Sequence, residues 1–236
     1  MRVVLVPGFS QTPASWQDVV DALRDRSAPA NLESVPIEVP ANLAWDATVA
    51  ALADTGGRGH WCGYSMGGRL ALAVALDHPE QVDGLVLVST TAGIADAAQA
   101  AQRRADDERL ARRVLAVGVD AFLDEWLAQP LFADVALDAP GVAERRGQRA
   151  EDLAAMLRQL GTGTMPNLWP RLSTLRVPLT IITGRADTKY TEIGRALTAA
   201  CTNTTVRRVE LDGGHALAQT APAELAAAIA EALAVT

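Results

Sequence analysis

Short apolar runs alternate along this chain with segments whose apolar residues recur every three or four positions. The runs at 3–6, 34–39, 59–63, 85–89, 179–183 and 205–211 are bounded by turn residues and predict strands. The helical period covers 15–26, 44–55, 66–77, 191–201 and 221–234. Strand and helix in strict alternation imply right-handed crossovers, and therefore an α/β fold built on a mostly parallel, doubly wound sheet.

One region breaks the rhythm. From about 93 to 176 no run reads as a strand, and helical patterns fill 95–117, 119–128 and 141–160. We expect residues 1–92 and 177–236 to form the core and 93–176 to form a helical cap inserted between two strands. Insertions at the carboxyl end of a parallel sheet sit above the place where ligands bind.

Composition narrows the class. Apolar residues make up 49% of 236 residues and charged ones 21%, which suits a globular enzyme-sized domain rather than a disordered chain. No apolar stretch approaches the ~20 residues of a membrane span, and the N-terminal run lacks the pattern of a secretory signal. A cytoplasmic protein without membrane insertion is expected. The net charge of −7 argues against nucleic acid as a partner. Two cysteines, Cys62 and Cys201, are too few for a disulfide framework, and no Cys/His spacing resembles a metal site. All basic residues but Lys189 are arginine, so only placed arginines carry meaning.

The chemistry concentrates at Gly63-Tyr64-Ser65-Met66-Gly67-Gly68-Arg69. A strand precedes this Gly-x-Ser-x-Gly and a helix follows it, the setting of a sharp turn that projects a serine hydroxyl off the sheet. A serine there needs a proton acceptor, for which histidine is suited. Of three histidines, His60 begins the strand before the turn, and His78 lies a long helix away. His215 follows the last predicted strand, at the carboxyl edge where such sites form. Asp187 ends the preceding strand and can hold the imidazole, with Asp212 as a competitor in the histidine's own loop. The expected triad is Ser65, Asp187 and His215. The backbone N–H groups of Met66 and Phe9 are the expected oxyanion donors.

Over essentially its whole length the chain resembles the α/β-hydrolase superfamily. More narrowly it resembles the 2-succinyl-6-hydroxy-2,4-cyclohexadiene-1-carboxylate synthases, lyases of menaquinone biosynthesis. The resemblance rests on Gly8-Phe9-Ser10, the serine turn, Arg103-Arg104, Gln129-Pro130-Leu131-Phe132 and Asp187-Thr188-Lys189-Tyr190. It implies pyruvate elimination from an anionic small molecule, with Ser65 as base and without metal or organic cofactor. It also implies that Arg69, Arg103 and Arg145 bind the substrate's carboxylates and that Tyr64 and Trp126 form site walls. The chain departs from that pattern in having Pro7 where His is usual, and Pro40-Ala41-Asn42-Leu43 where a Pro-Gly-His-Gly loop is usual. A carboxylic ester hydrolase with an acyl-serine intermediate, and a non-catalytic ligand binder, are the competing readings. A monomer or homodimer is expected.

Overall fold

A computed structural model describes residues 1–25, 31–137 and 140–234. Arg26, where the first helix was expected to end, and Val235 and Thr236, the expected end of the core, lie outside the described residues. Six strands form one parallel sheet: β1 (Arg2–Val6), β2 (Glu33–Pro36), β3 (Gly59–Tyr64), β4 (Val82–Val88), β5 (Leu179–Gly184) and β6 (Val206–Leu211). Their spatial order is β2-β1-β3-β4-β5-β6, so the chain winds outward first one way and then the other.

The period of two is visible in the core. Val4, Val6, Trp61 and Leu87 point to one face, while Val3, Leu5, Cys62 and Val88 point to the other, and all are buried. Helices cover both faces, which is why these strands read as continuous apolar runs. Helix α1 (Gln17–Asp25) packs with the C-terminal helix on one side. Helices α2 (Trp45–Gly56) and α3 (Met66–Asp77) lie on the other.

Between β4 and β5 the described chain is helical. Helix α4 (Ala97–Leu127) is broken by non-helical geometry at Gly118, φ 80° and ψ 172°, where the two expected helical patterns meet. Helices α5 (Pro140–Arg146) and α6 (Ala150–Leu160) follow. Phe122, Leu123 and Val114 of α4 form a small apolar cluster with Leu153 and Leu157 of α6. After β5 comes α7 (Thr188–Ala200), and after β6 come α8 (Leu217–Thr220) and α9 (Pro222–Leu233). Among the described residues no helix is long and apolar enough to cross a membrane.

Several element bounds differ from expectation. Strand β2 stops at Pro36, short of the expected residue 39, and proline has no N–H to continue a ladder. Strand β4 starts three residues early, at Val82. Its Asp83-Gly84 resembles a turn, but a Cβ at Gly84 would lie 2.7 Å from the His60 ring, so the glycine serves close packing between strands.

Candidate active site

Ser65 stands between β3 and α3 with φ 51° and ψ −108°, a left-handed conformation that costs a non-glycine residue energy. The surrounding sheet holds it there. Its N–H donates to the Val88 carbonyl at 2.9 Å, and the Ser65 carbonyl accepts from Thr90 Oγ1 at 2.7 Å. A Cβ at Gly67 would lie 2.2 Å from the Val6 carbonyl oxygen, so only glycine lets α3 approach β1 this closely. Ser65 occupies the N-cap of α3, yet its hydroxyl caps no backbone N–H. The hydroxyl is 3.1 Å from His215 Nε2.

His215 Nδ1 lies 2.6 Å from Asp187 Oδ2, and both side chains are buried. The other carboxylate oxygen of Asp187 accepts the Tyr190 N–H at 3.4 Å and caps α7. The competitor Asp212 faces outward and pairs with Arg185. His60 and His78 are placed elsewhere: His60 is buried between the amino ends of strands, where desolvation lowers its pKa, and His78 sits 3.9 Å from Glu80. Asp134, from the helical segment, accepts the Gly214 N–H at 2.8 Å and so tethers the loop that carries His215.

A cavity of about 290 Å³ opens above this chain of hydrogen bonds. Ser65, His215, Phe9, Met66, Arg69, Arg103 and Trp126 all border it. The N–H of Met66 is the first of α3 and has no intrahelical acceptor. Neither it nor the Phe9 N–H takes part in the turn, loop or side-chain hydrogen bonds of the described residues. Both are open donors at the cavity floor. Phe9, Phe122, Phe132 and Trp126 pack edge-on, tilted or stacked with centroids 5.0–6.4 Å apart, an aromatic wall joining the first loop to the helical segment.

The cations differ in their commitments. Arg69 is buried, donates from Nη1 to the Leu160 carbonyl at 2.7 Å, and desolvation lowers its pKa to about 10. It therefore stays charged at neutral pH. Arg103 pairs through Nε with the buried Asp107 at 2.8 Å. Burial raises the Asp107 carboxyl's pKa despite that partner, and its Oδ2 has no hydrogen bond.

Tyr64 and Arg145 do not border the cavity. Tyr64 lies against Gly8 of the loop after β1, its ring 5.4 Å from that of His215, and burial raises its pKa. Arg145 is buried beside it and donates to Gln219 at 2.7 Å.

Sequence reasoning missed Asp107, Tyr190 and Lys189 as site residues. Tyr190 packs on His215 with ring centroids 4.5 Å apart and is itself half-buried, and the desolvation raises its pKa. Its place three residues after Asp187 was the available signal. Asp107 gave none, because it sits in a charged helix among many solvated neighbours.

The model of the alpha/beta hydrolase family matches residues 3–228. The chain belongs to that family. Among relatives, a Bacillus subtilis protein provisionally named a 2-succinyl-6-hydroxy-2,4-cyclohexadiene-1-carboxylate synthase is 38% identical over 138 residues. That stretch is 56% of this chain and spans only half the length of that relative. The Escherichia coli protein of the same name is 29% identical over 98% of this chain and 93% of its own. The solved structure of MenH from S. aureus superposes with a TM-score of 0.87 at 27% identity, covering 99% of this chain and 93% of that one. This alpha/beta hydrolase is an enzyme of the fold's lyase or esterase kind.

Proposed function

We propose that this alpha/beta hydrolase eliminates pyruvate from an enolpyruvyl-succinyl-cyclohexene carboxylate, the reaction for which its synthase relatives are named. The observation that carries the reading is the joint placement of the Ser65–His215–Asp187 chain with Arg69 and Arg103 around one cavity. Hydrolysis of a simple ester has no need of a buried Arg69 and a half-buried Arg103 beside the serine, whereas a carboxylate-bearing substrate does.

In this reading His215 Nε2 accepts the Ser65 proton as Ser65 Oγ removes the proton next to the succinyl ketone. Asp187 fixes the tautomer and stabilises the imidazolium. Charge gathering on the ketone oxygen is held by the N–H groups of Phe9 and Met66. The electron pair then passes through the ring double bond and expels the enolpyruvyl oxygen. The leaving enolate takes its proton from His215 and departs as pyruvate, which restores the neutral imidazole. Residues 93–176 act as a cap that excludes water, with Trp126 as wall and Arg69 and Arg103 as carboxylate anchors. Tyr64 and Arg145 support the loop behind.

The test is release of pyruvate from that substrate, read by a coupled assay, with Ser65→Ala as control. Release no greater than the control's overturns the reading. An ester hydrolase is the second reading, favoured by the apolar wall of Phe9, Trp126 and Phe132. It predicts a burst of acyl-enzyme with p-nitrophenyl esters.

A further inference from the structure

We infer that Lys189 receives a second carboxylate of the substrate, at the neck between the catalytic cavity and an adjoining one. The inference rests on the proposed elimination from a multiply charged substrate and names a residue that sets specificity for it.

The adjoining cavity measures about 410 Å³ and shares Arg103, Thr162, Lys189 and Tyr190 with the first. The two cavities together accommodate an extended ligand rather than a compact one. At the neck the cations are not equivalent. Arg103 is engaged by Asp107, and Arg69 by the Leu160 carbonyl. Lys189 is exposed and, among the described residues, makes no ion pair; its Nζ lies 5.4 Å from the centroid of the Tyr190 ring. That ring in turn packs on His215. An anion on Nζ is thus one aromatic ring away from the base.

Two further features point to an anion. Lys189 is the second residue of α7, a helix of 13 residues. A cation in the first turn opposes the helix dipole and so does nothing for the helix, whose amino end is already capped by Asp187. A cation not spent on the fold suits a carboxylate. Lys189 is also the sole lysine, in a chain whose other basic residues are all arginine. A compact ammonium on a flexible stem can follow a ligand between the two cavities, which a rigid guanidinium fork does less readily.

A single lysine makes the test selective. Reductive methylation with ¹³C-formaldehyde keeps the charge and labels only Lys189 and the terminal amine. Titration with glutarate should move the Lys189 methyl resonance saturably, and monomethyl glutarate should move it far less. Lys189→Met should raise KM for the enolpyruvyl substrate about tenfold and leave kcat within twofold, and Lys189→Arg should recover most of the loss. A resonance indifferent to glutarate, or an unchanged KM in Lys189→Met, overturns the inference. A saturable shift in a protein that releases no pyruvate supports the anion site and rejects the elimination reading instead.

Discussion

Arg69 Nη1 reaches from α3 to the carbonyl of Leu160, the last residue of α6, across 2.7 Å. One buried cation thereby joins the serine's own helix to the helical segment between β4 and β5. No carboxylate closes on it among the described residues, and it borders the cavity. Arg69→Met should raise KM for an anionic substrate more than tenfold, since hydrogen bonds to charged groups are worth about 1.5–3 kcal/mol. Thermal stability should change little, because replacing a buried ion by an apolar chain of similar volume is often neutral. Paired kinetics and melting curves separate the two effects. A large fall in melting temperature with unchanged KM would assign Arg69 to structure alone.

Asp187 divides its two oxygens between His215 and the start of α7. Asparagine retains a capping oxygen but cannot hold the same imidazole tautomer. Asp187→Asn should therefore lower kcat by about 10³- to 10⁴-fold while leaving the melting temperature almost unchanged. Asp187→Ala should lose both activity and roughly 1 kcal/mol of stability. Equal melting temperatures for the two variants would contradict the double role.

Glu108 on α4 accepts from Arg112 on its own helix and from Arg158 on α6. Those hydrogen bonds hold its pKa down at about 2, below the ordinary 4.5. A carboxyl with a depressed folded pKa stabilises fully above its unfolded pKa and loses that effect as pH falls through the folded value. Between about pH 4.5 and pH 2 the α4–α6 contact should loosen progressively. Hydrogen exchange of α6 amides should report this, and Glu108→Gln should flatten the pH dependence across that window.

Two glycines should respond very differently to alanine. At Gly67 the added carbon would meet backbone at 2.2 Å, which neither neighbour can yield, so a loss of about 3 kcal/mol or more is expected. At Gly118 nothing lies within 4 Å of that carbon, and only φ 80° opposes it. Gly118→Ala should cost about 1–2 kcal/mol, the left-handed penalty alone. Denaturant titration of both variants checks the ranking.

The fold was legible where physics is local. The four central strands are apolar runs with turn residues beside them, the edge strands β2 and β6 mix apolar with polar residues, and the break at Gly118 fell between two helical patterns. Boundaries shifted where packing overrode local signals. Strand β4 began three residues early, at Val82, with Gly84 packed under the His60 ring opposite, and α7 began three residues early because Asp187 caps it. The short helix α8 was hidden in Ala216-Leu217-Ala218-Gln219, too brief to show a period. At the site, Ser65, Asp187 and His215 could be placed because each follows a strand. Arg69 and Arg103 could be named from resemblance. That Arg145 and Tyr64 lie behind the cavity could not be read, because it depends on how α5 packs against the first loop. Asp107 was invisible for the same reason: its burial comes from contacts with residues far along the chain, such as Gly161.

Serine at a helix N-cap ordinarily spends its hydroxyl on the helix's own first amides. Ser65 does not, because φ 51° swings its side chain away from them. The backbone distortion thus settles a competition for one oxygen atom. It leaves that oxygen to His215 rather than to the second or third amide of α3, a choice made by a single dihedral angle.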